Sequence, residues 1–408
     1  MTLGQVWPGP VTERIAPLRI TAFTACSAAG ADKRELLGAL RDGRTGLSPN
    51  SMPELPLSTW IGRVPRIEDH PLPRSFTQWE SRNNRLAWMG LAADGFSEAV
   101  SAARRRYGPQ RMALVLGTST SSIGATEEAY RSLEPDGRFP AHLRHPILHT
   151  PHALADFVQY ALGLPGLCVT VATACSSSAK VFAQAERLLR VGLVDAAVVG
   201  GVDSLCGSVL FGFNSLELVS PEPCRPFDPG RRGISLGEAA GFALLERDGA
   251  AGPWLLGYGE SSDAHHMSAP HPDGRGARIA IRDALERAGL GADRIDYINL
   301  HGTASQKNDA VEARVVADLF PATTRASSTK GWTGHTLGAA GIVEAVITLL
   351  SMESGFTPGT LNSRALDAEC GPQVRLANEE AEVRFALSHS FGFGGSNCVL
   401  AFGRERPA

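Results

Sequence analysis

Apolar and polar positions along the chain fall into two successive series of strand-like and helix-like runs. The first opens at Leu18-Arg19-Ile20-Thr21-Ala22-Phe23, a β-type run, followed by a helix capped by Asp32 with Leu36, Leu37 and Leu40 on one face. Residues 48–80 are proline-rich with few apolar repeats, which predicts a long surface excursion. Asn84 to Arg106 reads as one amphipathic helix, with Leu86, Met89 and Ala93 at helical spacing and a basic end, Arg104-Arg105-Arg106. Met112–Gly117 and Leu167–Ala172 are continuous apolar runs, as expected of strands covered on both faces. A small-residue helix from Cys175 to about Val191 and strands at Asp195–Gly201 and Gly241–Leu245 complete the series.

The second series begins near Pro253. It predicts a strand (Trp254–Tyr258), a helix (Ala277–Gly289), a strand (Tyr297–Leu300), a helix (Ala310–Leu319), a helix over 338–352 and strands at 384–388 and 397–402. Strands alternating with helices imply α/β layering. Val169–Val191 and Ser327–Met352 each run from a polar turn into a helix rich in Ala, Ser or Gly and then Leu-Leu. We therefore expect a duplicated fold whose halves meet at those two helices. Residues 1–17 read as a flexible leader, 18–250 as the first half and 251–408 as the second.

Composition narrows the function. The 408 residues carry 39 Lys+Arg against 42 Asp+Glu, a formal net charge of −3, which argues against broad nucleic-acid binding. Seven cysteines without a CxxC pair read as reduced thiols rather than a disulfide framework. No secretion signal is apparent in MTLGQVWPGPVTERIAPL, and the longest uncharged run, 157–179, is broken by Gly163, Pro165 and Gly166. A cytoplasmic protein without a membrane span is the expectation.

Four segments carry chemistry. Thr173-Ala174-Cys175-Ser176-Ser177-Ser178 places a thiol at a strand-to-helix turn, where the helix dipole and free N–H groups favour thiolate. By itself Cys175 is read equally well as a buried structural thiol. Leu300-His301-Gly302-Thr303 ends a strand, and Lys330-Gly331-Trp332-Thr333-Gly334-His335-Thr336-Leu337-Gly338-Ala339-Ala340-Gly341 adds a second His in a glycine-rich turn. Ser390-Phe391-Gly392-Phe393-Gly394-Gly395-Ser396-Asn397 brackets Phe393 with glycines, as a backbone that must bend tightly or move would.

Together these segments resemble the β-ketoacyl synthases of the thiolase superfamily, over about residues 18–403. Arg225-Pro226-Phe227-Asp228, Gly237-Glu238, the stretch Ser262 to Pro270, and Asp309 and Glu312 after His301 fit the same pattern. The resemblance implies a thiolase-like, five-layered αβαβα fold of two similar halves. It implies an elongating β-ketoacyl-[acyl-carrier-protein] synthase in fatty-acid, aryl-polyene or polyketide-type synthesis. In such an enzyme Cys175 takes an acyl group, malonyl loses CO2, and the carbanion attacks the acyl-cysteine. Backbone N–H groups of Cys175 and Phe393 would form the oxyanion hole, and His301 and His335 would face the malonyl thioester. Lys330 would order the site through Glu344, Thr303, Ser305 and Ser268 would contact pantetheine, and Phe393 would gate the pocket. No resident cofactor or metal is implied, since 4′-phosphopantetheine arrives on the acyl-carrier protein. Partners implied are that carrier and a second ketosynthase-like chain, in a homodimer or heterodimer.

Arg231-Arg232-Gly233-Ile234, Ala239 and Gln306-Lys307 depart from the family pattern, on structural or entrance loops. His142, His145, His149 and His152 crowd one segment, but no Cys or carboxylate completes a metal-ligand set at familiar spacing. Arg63, Arg66 and the 104–106 triplet are candidates for docking an acidic carrier, or simply a solvated basic face. Two other readings compete: a chain-length-factor-like subunit, against which the intact Cys175, His301 and His335 count, and a CoA-dependent thiolase. If Phe393 is a gate, Phe393→Ala alters acyl transfer to Cys175 more than malonyl decarboxylation. Separate assays of the two half-reactions check this, and equal loss in both rejects the gate.

Overall fold

Ten strands form the framework because their side chains alternate between two apolar layers, and helices cover what each strand leaves open. The computed structural model describes residues 13–247 and 252–407. Most of the expected leader, 1–12, and the expected junction of the halves at 250/251 lie outside these residues. Within 13–17, Ile15 is buried and its N–H donates to the Arg287 carbonyl at 3.2 Å.

The first half comprises β1 (Leu18–Ser27), α1 (Lys33–Arg41), α2 (Arg82–Ala92), α3 (Phe96–Tyr107), β2 (Met112–Gly117), α4 (Ile123–Arg131), α5 (Ala153–Leu162), β3 (Cys168–Val171), α6 (Ser177–Arg190), β4 (Ala196–Asp203), α7 (Gly207–Ser215) and β5 (Ala239–Glu246). The second comprises β6 (Trp254–Ser262), α8 (Arg275–Ala288), β7 (Tyr297–Asn299), α9 (Gln306–Leu319), β8 (Arg325–Ser327), α10 (Lys330–Thr333), α11 (Ala340–Ser354), β9 (Phe385–Gly392) and β10 (Ser396–Gly403).

The strands run in the order β8-β7-β9-β10-β6-β1-β5-β4-β2-β3. Counted within each half, both read third, second, fourth, fifth, first. The pairings match as well: β2 is parallel to β3 and β4, as β7 is to β8 and β9, while the remaining pairs in each half are antiparallel. The two half-sheets join where Leu18 and Arg19 pair with Leu255 and Trp254, and the Ile20 N–H donates to the Pro253 carbonyl at 2.9 Å. This is the duplication expected from the sequence.

Three cores separate the layers. Leu114, Leu116 and Val198 face outward onto α2, α3 and α5, whereas Ala113, Val115 and Val199 face inward onto α6 and α11. Leu387 and Val399 pack outward on α8 and α9. The central helices α6 and α11 lie between the half-sheets, giving the αβαβα arrangement. They approach closely because Gly341 has no side chain: a Cβ there would lie 2.6 Å from the Ala179 nitrogen. The Ile342 N–H also donates to Ser178 Oγ at 2.9 Å.

Three expectations need correction. The helix expected over Asn84–Arg106 is two helices, because Asp94 and Gly95 take left-handed φ values of 55° and 68° and turn the chain. The Asp94 carboxylate is then used by Thr24 Oγ1 at 2.8 Å. The segment 48–80 is no surface excursion, since Met52, Leu55, Ile61, Val64, Ile67, Leu72 and Trp79 are buried. Finally, β2 is wholly buried, but β3 is half-exposed throughout, because it is the last strand of the row and one edge is unpaired.

The apolar run 157–179 is divided among α5, β3 and the start of α6. Among the described residues one segment is long and apolar enough to cross a membrane, Leu337–Ser354, and 89% of it is buried inside the fold. Because Gly341 abuts backbone atoms that cannot yield locally, Gly341→Ala destabilises by about 1–3 kcal/mol. Thermal unfolding checks this through a lowered Tm.

Candidate active site

The nucleophile turn is built by the serines that follow it. Ala174 adopts a left-handed φ of 51°, which lifts Cys175 out of the strand direction. Ser176 Oγ donates to the Thr173 carbonyl at 2.9 Å and Ser177 Oγ to the Ala174 carbonyl at 2.6 Å, and both serines are buried. Both hydroxyls thus brace the turn from within. Gly392 closes on the turn from the other side: a Cβ there would lie 2.9 Å from the Thr173 carbonyl oxygen.

His301 follows β7, and two α9 carboxylates hold its loop. Glu312 accepts the N–H groups of His301 and Gly302, each at 2.8 Å, and Asp309 accepts those of Thr303 and Ala304 at 3.0 and 3.1 Å. Four successive backbone donors are thus fixed by a helical i,i+3 pair. Burial lifts Asp309 to about 6 despite these bonds.

His335 comes from the connection between β8 and α11, the position that Cys175 occupies between β3 and α6 in the other half. Its Nε2 lies 2.9 Å from Cys175 Sγ. The rings of His301 and His335 stand 5.4 Å apart at 88°. Lys330 Nζ donates to the His301 carbonyl and to Glu344 Oε1, and lies 3.5 Å from His301 Nδ1. An ammonium beside Nδ1 makes that nitrogen the acceptor and leaves the ring proton on Nε2.

Electrostatics follow from burial. Desolvation first, and Lys330 second, push both imidazoles well below the ordinary range, so each ring is neutral near pH 7. Burial also lifts Glu344 to about 7, against the pull of Lys330. Cys175 departs from the expectation of a resting thiolate: burial pushes it from 9.0 up to about 11, although Lys330 and the Phe393 N–H act to lower it. That rise corresponds to roughly 3 kcal/mol against the anion. A helix N-terminus supplies at most about 2 kcal/mol, so desolvation wins. Cys224 is pushed to about 11 as well, so acidity does not single out Cys175; its imidazole neighbour does.

These groups open into a narrow cleft of about 40 Å³ whose lining includes Cys175, His301, His335, Thr303, Ser305, Ser268 and Phe393. Lys330 and Glu344 lie behind it, buried. Thr303 Oγ1 donates to Ser305 Oγ at 3.0 Å, and the Phe393 ring stacks on Phe213 at 5.4 Å. Cys175, His301 and His335 offer ligand-type atoms within 4.8 Å of one another, the one such cluster among the described residues. The four histidines of 142–152 do not converge: His149 bonds Thr126 and the Leu143 carbonyl, and His152 bonds Thr170.

The first part of the chain, residues 84–251, matches the β-ketoacyl synthase N-terminal domain, and residues 254–364 match the β-ketoacyl synthase C-terminal domain. The chain belongs to the β-ketoacyl synthase family. Nodulation protein E of Rhizobium meliloti strain 1021 is 33% identical over 397 residues, 94% of this chain and 98% of that protein. The mitochondrial 3-oxoacyl-[acyl-carrier-protein] synthase of Arabidopsis thaliana is 38% identical over 267 residues, 60% of this chain and 58% of that one. Among solved structures, a chain of the complex of ketosynthase ApeO with its chain length factor ApeC, from Xenorhabdus doucetiae, superposes with a TM-score of 0.87. Its identity is 35%, over 98% of this chain and 100% of that chain. The protein is a β-ketoacyl synthase-type condensing enzyme.

In this β-ketoacyl synthase site the sequence pointed to one contributor without its role and gave no sign of another. The backbone grip of Asp309 and Glu312 was readable as an acidic i,i+3 pair opening a helix, but not what it would hold. Phe213, the stacking partner of Phe393, lies in another element and gave no signal. The departing segments 231–234 and 306–307 are linked through Arg231: Gln306 Nε2 donates to the Arg231 carbonyl at 2.7 Å, and Arg231 donates to the Gln306 carbonyl at 3.0 Å. Arg63 pairs with Glu68 at 2.7 Å, and the exposed Arg66 with Asp69 at 3.3 Å.

With Cys175 held near 11, the thiolate fraction rises about tenfold per pH unit from pH 7 to 9. Second-order rates of iodoacetamide alkylation at Cys175 rise in parallel. A rate already flat above pH 7 contradicts the raised value.

Proposed function

We propose that the protein elongates acyl chains by decarboxylative Claisen condensation of malonyl held on an acyl-carrier protein with an acyl group held on Cys175. The observation that carries this reading is the 2.9 Å contact of His335 Nε2 with Cys175 Sγ, beside a second, Lys330-oriented imidazole.

In the first half-reaction Cys175 Sγ attacks the acyl thioester. Its proton passes to His335 Nε2 and on to the departing pantetheine thiol, so the nucleophile is activated by a base at the moment of attack. Backbone N–H groups of Cys175 and Phe393 receive the developing oxyanion; one such donor contributes roughly 3 kcal/mol. In the second, the malonyl C–C bond breaks and CO2 leaves. His301 donates from Nε2 to the enolate oxygen, and His335, free of the thiol proton, joins it after a tautomer shift. The carbanion attacks the acyl-cysteine, the C–S bond breaks, and the released sulfur takes up a proton. Lys330, with Glu344, keeps His301 in the donating tautomer. Thr303, Ser305 and Ser268, all on the cleft wall, hydrogen-bond the pantetheine arm, and Phe393 swings off Phe213 to admit acyl chains.

The protein acts in the cytoplasm, on acyl-carrier partners, and pairs with a second ketosynthase-fold chain, identical or different. Support for pairing is the half-exposed edge strand β3 with Leu167 beside it, 42% exposed. The complex of ApeO with its chain length factor is a precedent among similar structures.

Incubation with malonyl-carrier and a panel of acyl-carriers, read by mass spectrometry, tests the proposal. The expected result is acyl mass on Cys175 and a β-ketoacyl-carrier two carbons longer, both abolished in Cys175→Ala. Absence of acylation with every acyl-carrier overturns it in favour of a non-catalytic partner subunit.

A further inference from the structure

Strand β9 leads into the Phe393 turn and carries a histidine that the mechanism above does not use. His389 is fully buried, and its Nδ1 lies 3.1 Å from Glu312 Oε1. Its Nε2 has no partner among the described residues. The same carboxylate oxygen accepts the N–H of His301, and the other accepts the N–H of Gly302 at 2.8 Å and the Asn308 amide at 3.4 Å. The His389 ring also packs 5.2 Å from Phe391, whose ring lies 6.0 Å from that of His301. His389 therefore reaches His301 by two routes, one through a carboxylate and one through an aromatic ring.

We propose that His389 is a positioning residue for His301: by donating to Glu312 it fixes the carboxylate that holds the His301 backbone, and so ties the Phe393 hairpin to the imidazole facing malonyl. The inference rests on the role assigned to His301 above. A carboxylate only 1% exposed is held in place by its donors, because each unmet lone pair in such surroundings is costly. His389 supplies the ring donor to Oε1, and Nδ1 can carry the proton whether the ring is neutral or charged. Without it Oε1 keeps only the His301 N–H, and the carboxylate is free to shift and carry that backbone with it. Misplacement of a reacting group by about 1 Å lowers rate by about 100-fold.

Two substitutions separate positioning from packing. His389→Leu removes the donor, whereas His389→Asn keeps one, since the Asn amide nitrogen occupies about the place of His Nδ1. Decarboxylation of malonyl-carrier and acyl transfer to Cys175 are measured separately by mass spectrometry, with Tm for each variant. The expected result for His389→Leu is a 10- to 100-fold loss of decarboxylation with acyl transfer within about threefold of wild type. His389→Asn restores decarboxylation to within about threefold. Should the Leu variant fail to fold, His389→Gln, whose longer side chain moves the amide off Oε1, takes its place with the same expected split. Unchanged decarboxylation, equal loss in both half-reactions, or a folded Asn variant that restores nothing overturns the proposal. A wild-type enzyme inert toward malonyl-carrier instead overturns the function on which it rests.

Discussion

The close approach of α6 to α11 is the constraint on which the site depends. Gly341 packs onto the Ala179 backbone, and the Ile342 N–H reaches Ser178. The turn just before α6 carries Cys175 and the connection just before α11 carries His335. The separation of the two helices therefore sets the separation of thiol and imidazole. Asp203 reinforces the same junction from the end of β4. It accepts from Thr118, Ser119 and Thr120 of its own half and from the Gly338 N–H of the other. Burial pushes that carboxyl up, and the surrounding donors are what make an ionised group tolerable there.

Burial also decides the resting state of the reacting groups. The thiol is pushed up and both imidazoles are pushed down, so all three are neutral near pH 7. Lys330 acts through orientation: it touches the His301 carbonyl and lies beside Nδ1, which leaves Nε2–H toward the cleft. Of the two rings, His301 therefore holds a donor aimed at the cleft before any charge develops there.

Much of the framework was legible along the chain. Continuous apolar runs marked β2 and β4, because burial on two faces removes polar positions, and a run of small and apolar residues marked α11, which is buried on every side. The errors have local causes. Asp94-Gly95 interrupts an otherwise helical pattern, and its left-handed turn outweighs the spacing of Leu86 and Met89. The segment 48–80 lacks periodicity because short extended and 3₁₀ stretches, not a regular element, bury its apolar residues. In the site, Cys175, His301, His335, Lys330 and Phe393 stood out by motif, whereas Phe213 and His389 did not. Neither has a sequence neighbour that betrays its contact.

The sequence by itself determined the α/β alternation, the duplication of the halves and the residue types able to do acyl chemistry, because these depend on local period and side-chain identity. Tertiary structure alone decided that burial raises the Cys175 thiol, that His335 Nε2 lies against Cys175 Sγ, and that Lys330 sits behind His301. Those properties arise from desolvation and from contacts between residues 29 positions apart, for Lys330 and His301, and 160 apart, for Cys175 and His335. No pattern along the chain encodes the depth to which a group is buried once two halves close on it.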